Sequence, residues 1–284
     1  MVTKILEVGV IKLVVGVVSL LLLLWFLHAQ NNSLKVTEFE LDLPEIPQKF
    51  DGYRIVHLSD LHGKFFGRGQ EGLIRIIEEA GPDLIVMTGD SVDRYWGYKP
   101  QAILTLIEES QKIAPIYLVT GNHEWRTGHH QDWARKVRKR KGIILDNKRI
   151  ELKRGHQKIQ LLGIDDPWKS GMDNFELELT NLMENLPPEE FTILLSHRPE
   201  LIKLYDTHKI DLVFSGHAHG GQFILPWIGG ILAPHQGFFP VYTDGHYKLE
   251  STNMIVSRGL GNSSFPQRLF NRPQVIIVTL KNGG

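Results

Sequence analysis

Residues 54–62 read RIVHLSDLH, a short apolar run that ends in a polar group. Four later segments have the same form: DLIVMTGD (83–90), PIYLVTGN (115–122), FTILLSH (191–197) and DLVFSGH (211–217). Nearly continuous apolar runs of this length are typical of strands that are buried on both faces. The five segments therefore predict five buried strands, each with a polar side chain at its carboxyl end.

Helical segments separate these strands. Apolar side chains recur at helical spacing in residues 69–80, 101–112 and 174–184, and shorter helical segments cover 131–140 and 200–206. Strands that alternate with helices predict an α/β fold. No Pro- or Ser-rich linker interrupts the later part of the chain, so we expect one domain there.

The composition is that of a globular protein. The chain has 284 residues, of which 42% are apolar and 23% are charged, which excludes a disordered or fibrous protein. The 32 basic and 32 acidic residues balance, so charge gives no reason to expect a nucleic-acid partner. There are 13 histidines and no cysteine. Any metal must therefore be held by oxygen and imidazole nitrogen atoms, and disulfides are excluded.

The amino-terminal segment has a different character. Val8–Leu27 is apolar, with Lys12 as its only charge. Twenty helical residues span about 30 Å, the thickness of the hydrocarbon core of a bilayer. We predict an uncleaved transmembrane anchor over residues 1–29. A signal peptide cleaved near Ala29 and a buried helix of a soluble protein are the alternatives.

The charges that flank this segment predict its orientation. Lys4 and Lys12 precede the apolar core, and the acidic residues Glu38 and Glu40 follow it. The positive-inside rule then places the amino terminus in the cytoplasm and the main domain on the outer side of the cytoplasmic membrane. Residues 30–50 are predicted to be a linker and an edge strand, and residues 51–284 the main domain.

The polar residues after the strands form five groups. In α/β sheets, the loops that leave the carboxyl ends of strands build the ligand site. The groups are Asp60-Leu-His62, Asp90 with Asp93, Asn122-His123-Glu124, His197, and His217-Ala-His219. Two ligands that are two residues apart at a strand end lie on one face. Carboxylate, imidazole and amide ligands together favour Mn, Fe or Zn.

These motifs, in this order, resemble the calcineurin-like metallophosphoesterase family. The similarity continues into GGQ (220–222) and SRGLGN (257–262). Together with the anchor, the chain resembles the membrane-anchored bacterial phosphodiesterases, a subgroup that includes UDP-2,3-diacylglucosamine pyrophosphatase-type enzymes. The resemblance implies a four-layer α/β/β/α sandwich preceded by one transmembrane helix.

The resemblance also implies a site with two divalent metal ions, expected to be Mn, Fe or Zn. The first metal would be bound by Asp60, His62 and His219, the second by Asn122, His197 and His217, and Asp90 would bridge both. His123 occupies the position of the family's acid, and a hydroxide that bridges the metals is the expected nucleophile. Asp93 is expected to support the site or to cap a helix.

The expected activity is hydrolysis of a phosphodiester or pyrophosphate bond in a membrane-associated or nucleotide-linked lipid. A phosphodiesterase acting on a soluble nucleotide or a cell-envelope polymer is one alternative, and a non-catalytic metal-binding module is another. Arg258, Arg268 and Arg272 are candidates to clamp a substrate phosphate. The sequence predicts no oligomeric state.

Two further expectations concern residues outside these motifs. The apolar segment 221–240 is expected either to fold back as a core-packing hairpin or to contact an acyl chain or the bilayer. Eight histidines, His235 among them, carry no motif of this kind. His235 is predicted to be a surface or loop residue.

Overall fold

The computed structural model describes residues 2–225, 227–262 and 265–283, with side chains from Gly9 onward. These parts of the sequence predictions therefore lie outside the described residues: Met1, Gly284, Pro226 of the apolar segment 221–240, and the side chain of Lys4.

Strands and helices alternate along the described chain as the sequence predicts. The helices are α1 (Val2–Asn32), α2 (Glu71–Ala80), α3 (Gln101–Ser110), α4 (Asn122–Arg126), α5 (His130–Lys139), α6 (Met172–Met183) and α7 (Ile202–Thr207). The strands are β1 (Lys35–Asp42), β2 (Arg54–Leu58), β3 (Leu84–Thr88), β4 (Ile116–Val119), β5 (Ile143–Ile144), β6 (Lys148–Arg154), β7 (Gln157–Gly163), β8 (Thr192–Leu195), β9 (Leu212–Ser215), β10 (Ile224–Leu225), β11 (Gly229–Gly230), β12 (Leu232–Ala233), β13 (Gly237–Phe238), β14 (Gly245–Lys248), β15 (Asn253–Val256) and β16 (Gln274–Lys281).

The main strands form two six-stranded sheets. The first has the order β1-β16-β2-β3-β4-β5 and the second β14-β15-β9-β8-β7-β6. Strands β2, β3 and β4 are parallel neighbours in the first sheet, and β8 and β9 are parallel neighbours in the second. The five strands predicted from the apolar runs therefore occupy central positions, where both faces of a strand are buried.

Alternate residues of these strands face different layers. In β2, Ile55 packs between the two sheets, whereas Val56 packs in the core that contains α2, α3 and α5. In β8, Ile193 packs between the sheets and Leu194 packs against α6 and α7. The period of two along a strand thus builds three apolar cores between four layers. The predicted α/β/β/α architecture is confirmed.

The long apolar helix α1 lies outside these layers. Its segment Gly9–Asn32 has a mean hydropathy of 2.7 over its most apolar window, none of which is buried. By length and composition, this helix can cross a membrane, and a signal sequence would share those properties.

The carboxyl end of α1 is attached directly to the domain. The helix continues to Asn32, beyond the predicted anchor boundary at residue 29, and β1 begins at Lys35. The Asn31 side chain donates to Pro266 O at 3.0 Å and accepts from the backbone N–H of Arg268 at 2.9 Å. These contacts tie the end of the helix to residues 266–268 of the domain. Residues 30–32, expected to be linker, are therefore helical, whereas the predicted edge strand is present as β1.

Candidate metal centre

The candidate ligands follow the carboxyl ends of five parallel strands. Because these ends meet at one edge of the sandwich, side chains far apart in sequence converge there. Asn122 differs from the others because it begins α4. The structure brings six of the seven predicted ligands into two buried clusters: Asp60, His62, Asp90, His197, His217 and His219. The seventh, Asn122, is also buried and directly precedes His123, which lies beside Asp90.

One cluster contains Asp60, His62, Asp90 and His219, each with a potential ligand atom within 4.8 Å of the others. The Nε2 atoms of His62 and His219 are 3.2 Å apart. His219 Nε2 lies 3.3 Å from Asp60 Oδ1, and His62 Nε2 lies 3.8 Å from Asp90 Oδ2. Two imidazoles and two carboxylates thus point at the same small volume.

A second cluster shares Asp90 with the first. Asp90 Oδ2 lies 3.3 Å from His197 Nε2, which is 3.0 Å from His217 Nδ1. The Oδ1 atom of Asn122 is buried and has no hydrogen-bond partner. A buried amide oxygen without a partner is costly unless a further group binds it. This atom and the shared carboxylate fit a pair of cation sites.

An ion-pair contact to one imidazole ring and a hydrogen bond to another, both on the side away from the cluster, fix the orientation of these rings. His62 Nδ1 lies 2.9 Å from Asp93 Oδ2, and His197 Nδ1 lies 2.7 Å from the carbonyl oxygen of Thr88. A proton on each Nδ1 leaves a lone pair on Nε2 that faces the cluster. Asp93 also accepts backbone N–H groups of residues 95 and 96, so it both supports the site and shapes a turn.

The charges of the site call for a cation. Burial raises the pKa of Asp60 by disfavouring its carboxylate. Burial disfavours the imidazolium of His197, but the carboxylates of Asp90, Asp60 and Asp166 together outweigh burial and raise the pKa of His197 to about 10. Positive charge beside these buried carboxylates is therefore favoured. Divalent ions would supply that charge, and metal ligands usually release protons on binding.

Five candidate ligands have a left-handed backbone. The φ angles are 51° at Asp60, 49° at His62, 50° at Asp90, 66° at His217 and 48° at His219. This conformation costs about 1–2 kcal/mol per residue for an L-amino acid. Strain of this kind persists where the surrounding structure imposes it, often at functional sites.

Glycine is required where the loops approach one another. A Cβ atom at Gly121 would lie 2.2 Å from Asp90 Oδ1, and one at Gly216 would lie 1.9 Å from Ser59 Oγ. Both distances are far shorter than any contact between real Cβ atoms and their neighbours. The glycines before Asn122 and His217 therefore allow the loops to bring these residues into the site.

Glu124 links the loops after β3 and β4. Its carboxylate accepts the backbone N–H groups of Asp90 at 3.0 Å, Ser91 at 2.7 Å and Gly121 at 2.8 Å. It also accepts the Ser91 hydroxyl at 2.8 Å. Glu124 thus sets the position of Asp90 relative to Asn122.

His123 lies beside the shared carboxylate and has one ring nitrogen in a defined role. Its Nδ1 accepts the backbone N–H of Arg94 at 3.1 Å, and its Nε2 lies 3.9 Å from Asp90 Oδ2. Burial lowers the pKa of His123 and favours the neutral ring. A neutral imidazole that accepts at Nδ1 carries its proton on Nε2. That proton faces the cluster.

The three arginines predicted to clamp a phosphate lie in different environments. Arg268 is buried at the edge of the cluster, with Nη2 3.5 Å from His219 Nδ1 and 3.1 Å from the carbonyl oxygen of Arg258. Arg258 pairs with Asp244, and Arg272 donates to carbonyl groups just after α1. Arg268 is thus the one of the three that the structure brings beside a candidate ligand. A phosphate contact by any of them stays a prediction.

Sequence reasoning missed two residues at the second cluster. Arg198 Nη1 lies 3.1 Å from His217 Nε2, while its Nη2 donates to Asp166 at 2.9 Å. His235 is an exposed loop residue, as predicted, but its Nδ1 lies 2.9 Å from His217 Nε2. Adjacency to His197 was the only sequence signal for Arg198, and His235 had none.

The chain matches known phosphoesterases. The model of the calcineurin-like phosphoesterase family matches residues 53–221. The uncharacterized metallophosphoesterase YkuE of Bacillus subtilis is 32% identical over 266 residues, which cover 90% of this chain and 88% of the relative. An uncharacterized metallophosphoesterase of Aquifex aeolicus is 30% identical over 271 residues, which cover 90% of this chain and 95% of the relative. A transmembrane protein with metallophosphoesterase domain from Bos taurus is 30% identical over 87% of this chain and 57% of its own. The protein therefore belongs to the calcineurin-like metallophosphoesterases, a family of metal-dependent phosphohydrolases.

Proposed function

We propose that the two clusters hold a pair of divalent metal ions and that the protein hydrolyses a phosphodiester or pyrophosphate bond. Asp60, His62 and His219 would bind one ion, Asn122, His197 and His217 the other, and Asp90 both. The observation that supports this assignment is the position of Asp90 Oδ2, which lies within 3.9 Å of Nε2 atoms of His62, His123 and His197. A carboxylate shared between two imidazole clusters suits a bridge between two cations.

The residues of the chain have separate tasks in this reaction. Bound divalent ions would supply Lewis-acid charge that makes water more acidic and stabilises negative charge on a phosphoryl group. Asp93 and the carbonyl of Thr88 hold the rings of His62 and His197 in the tautomer that presents Nε2. Because these outer contacts fix the rings, little reorganisation is needed when charge develops on the substrate.

His123 is the proposed acid. The Arg94 N–H occupies its Nδ1, so its only ring proton is on Nε2 and faces the cluster. As a neutral ring, His123 can hold a phosphoryl oxygen through its Nε2–H. To protonate the leaving oxygen it must first take up a second proton at Nδ1 and so become the imidazolium. Removing the ring should slow the reaction while the proposed metal ligands stay in place.

The proposed substrate is a membrane-associated or nucleotide-linked lipid. The apolar surface of α1 and the transmembrane name of the bovine relative support attachment to a membrane. We assign residues 1–29 to the anchor, 30–50 to the connection and edge strand, and 51–284 to the catalytic domain. Lys12, near the start of the apolar segment, supports a domain on the outer side. A soluble nucleotide or a cell-envelope polymer is the alternative substrate, and Mn, Fe or Zn are the proposed metals.

The test is hydrolysis of bis-p-nitrophenyl phosphate by the full-length protein in lipid nanodiscs with Mn²⁺. Asp90→Asn and Asn122→Ala should each abolish turnover and reduce the bound Mn²⁺. His123→Ala should lower kcat by 10²-fold or more with Mn²⁺ still bound. Asp173→Asn, at an exposed position on α6, is the matched control. Absence of turnover with Mn, Fe and Zn would instead support a non-catalytic metal-binding module. For the membrane orientation, protection of the domain from protease in spheroplasts would contradict the outer-side assignment.

A further inference from the structure

The apolar segment that follows His219 forms two short hairpins with large side chains on the outside. Strand β10 pairs with β11 and β12 pairs with β13. Five exposed apolar side chains define what we call the hairpin surface: Trp227, Ile228, Phe238, Phe239 and Val241, of which Trp227 is fully exposed and the others at least 60% exposed. The segment is therefore not a core-packing hairpin. So many large apolar side chains in contact with water indicate a missing partner.

The hairpins are joined to the end of the membrane-type helix by a continuous set of contacts. Ile224 N–H donates to Leu269 O at 3.1 Å. In the same connecting segment, the rings of Phe270 and Phe26 have centroids 5.7 Å apart. The side chain of Gln267 donates to Leu27 O at 3.1 Å. The first of these contacts reaches the hairpin and the other two reach α1. When α1 lies in a bilayer, the hairpin surface is held near the side at which the helix leaves it.

A pocket lies between the hairpins and the candidate metal centre. It has a volume of about 460 Å³, and His219 lines it together with Phe223, Ile231, Leu232 and Phe265. Pockets of this size bind ligands with the dimensions of a cofactor or a drug molecule. Except for His219 and Gln222, the residues that line this pocket are apolar. An alkyl chain fits that lining, and a phosphate attached to the chain would lie toward His219.

We propose that the hairpin surface docks into the interfacial layer of the bilayer that holds α1, and that the pocket takes the acyl chain of a lipid phosphoester from that bilayer. This inference rests on the proposed phosphoesterase function and names the route and the subsite of its substrate. Trp and Phe side chains suit the interfacial layer, where their apolar rings leave water. The attachment of the hairpins to the helix end through residues 267–270 argues for the bilayer rather than a second protein chain as the partner.

Depth measurements test the docking. The natural chain has no cysteine, so single nitroxide labels can be attached to Trp227→Cys and Phe238→Cys without other changes. Lys153→Cys, on β6 with a side chain 68% exposed, is the aqueous control, and Val15→Cys in α1 is the membrane control. The full-length protein is placed in phosphatidylcholine nanodiscs, one copy in each. We expect labels at 227 and 238 to be more accessible to oxygen than to a water-soluble nickel chelate, as at residue 15. Labels there as accessible to the nickel chelate as at residue 153 would overturn the docking.

Chain-length dependence tests the pocket. The probes are p-nitrophenyl hexadecyl phosphate and p-nitrophenyl ethyl phosphate, which share the reacting group. In Leu232→Glu and Phe265→Glu, a carboxylate enters the pocket at positions that are 46% and 49% exposed, where folding tolerates it. The control is Leu177→Glu on α6, 56% exposed. All variants bind the same bilayer, so partitioning of the probe into lipid is constant.

The expected result is a tenfold or greater fall in the ratio of kcat/KM for the hexadecyl ester to that for the ethyl ester in both pocket variants. A ratio within twofold of that of the control would overturn the acyl-chain subsite. Wild-type protein that hydrolyses neither ester with Mn, Fe or Zn would refute the proposed function instead. The label measurements then decide the membrane docking independently.

Discussion

Replacing Glu124 by Gln should disorder the site without touching a proposed metal ligand. One carboxylate oxygen of Glu124 accepts from the N–H groups of Asp90 and Gly121, and the other accepts from Ser91 N–H and Oγ. Gln offers only one acceptor oxygen. In either orientation of the new glutamine amide, at least one buried backbone N–H faces the NH₂ group. Of the four donors, only the Ser91 hydroxyl can rotate to accept a hydrogen bond instead.

The cost follows from these four contacts. A hydrogen bond to a charged acceptor contributes about 1.5–3 kcal/mol, and one to a neutral acceptor about 1 kcal/mol. Glu124→Gln loses one charged bond outright and weakens two others. Burial raises the pKa of Glu124 to about 7, so at pH 9, where the carboxylate is charged, we expect the free energy of unfolding to fall by about 3–5 kcal/mol. The displaced Asp90 should also weaken Mn²⁺ binding by 10- to 100-fold, as changes behind metal ligands commonly do.

Two measurements separate these effects. Urea denaturation of the nanodisc-bound protein in EDTA gives the stability without metal, and Mn²⁺ titration of the folded protein gives the affinity. Glu79→Gln, exposed on α2, is the matched control and should change neither value. If Glu124→Gln unfolds within 1 kcal/mol of wild type and binds Mn²⁺ normally, the loop link is not what positions Asp90.

Three further outcomes are expected. Gly121→Ala should lower activity at least 100-fold. The backbone φ of −101° suits alanine, but the new Cβ would lie 2.2 Å from Asp90 Oδ1. Gly155→Ala, which is strained at φ 64° but has open space around it, should lose stability and keep activity, and equal activities of the two variants would contradict the steric argument. Asp93→Asn should weaken Mn²⁺ binding 10- to 100-fold in titrations, because the ring of His62 loses the charged partner at its Nδ1. An unchanged affinity for Mn²⁺ would contradict this. Burial lowers the pKa of Lys64 from 10.5 to about 7. Between pH 7 and pH 10.5 Lys64 is therefore protonated in the unfolded chain and neutral in the folded one, so the melting temperature should rise with pH relative to that of Lys64→Met. A difference in melting temperature that stays constant over this pH range would contradict the shift.

Much of the site was predictable because each ligand directly follows a buried apolar run. A polar residue such as Asp90 at the end of LIVMT marks both the end of a strand and the edge at which parallel strands meet. The second cluster illustrates the limit of this reasoning. His235 approaches His217 only because the β12–β13 hairpin folds back over the site, and no local periodicity encodes that return. The destination of Arg272, the carbonyls after α1, was equally invisible because it depends on long-range packing.

The positive φ angles of the candidate ligands could not be predicted from sequence patterns. Asp and His are enriched among the few non-glycine residues with a positive φ, but nothing in the sequence predicts which of them adopt it, as Asp60 and His219 both do. The backbone N–H of His217 donates to Asp60 Oδ2 at 3.1 Å, so contact between the two sheets imposes this conformation. A strained backbone and buried carboxylates cost free energy that bound cations would offset. We therefore expect folding of this edge and metal binding to be coupled.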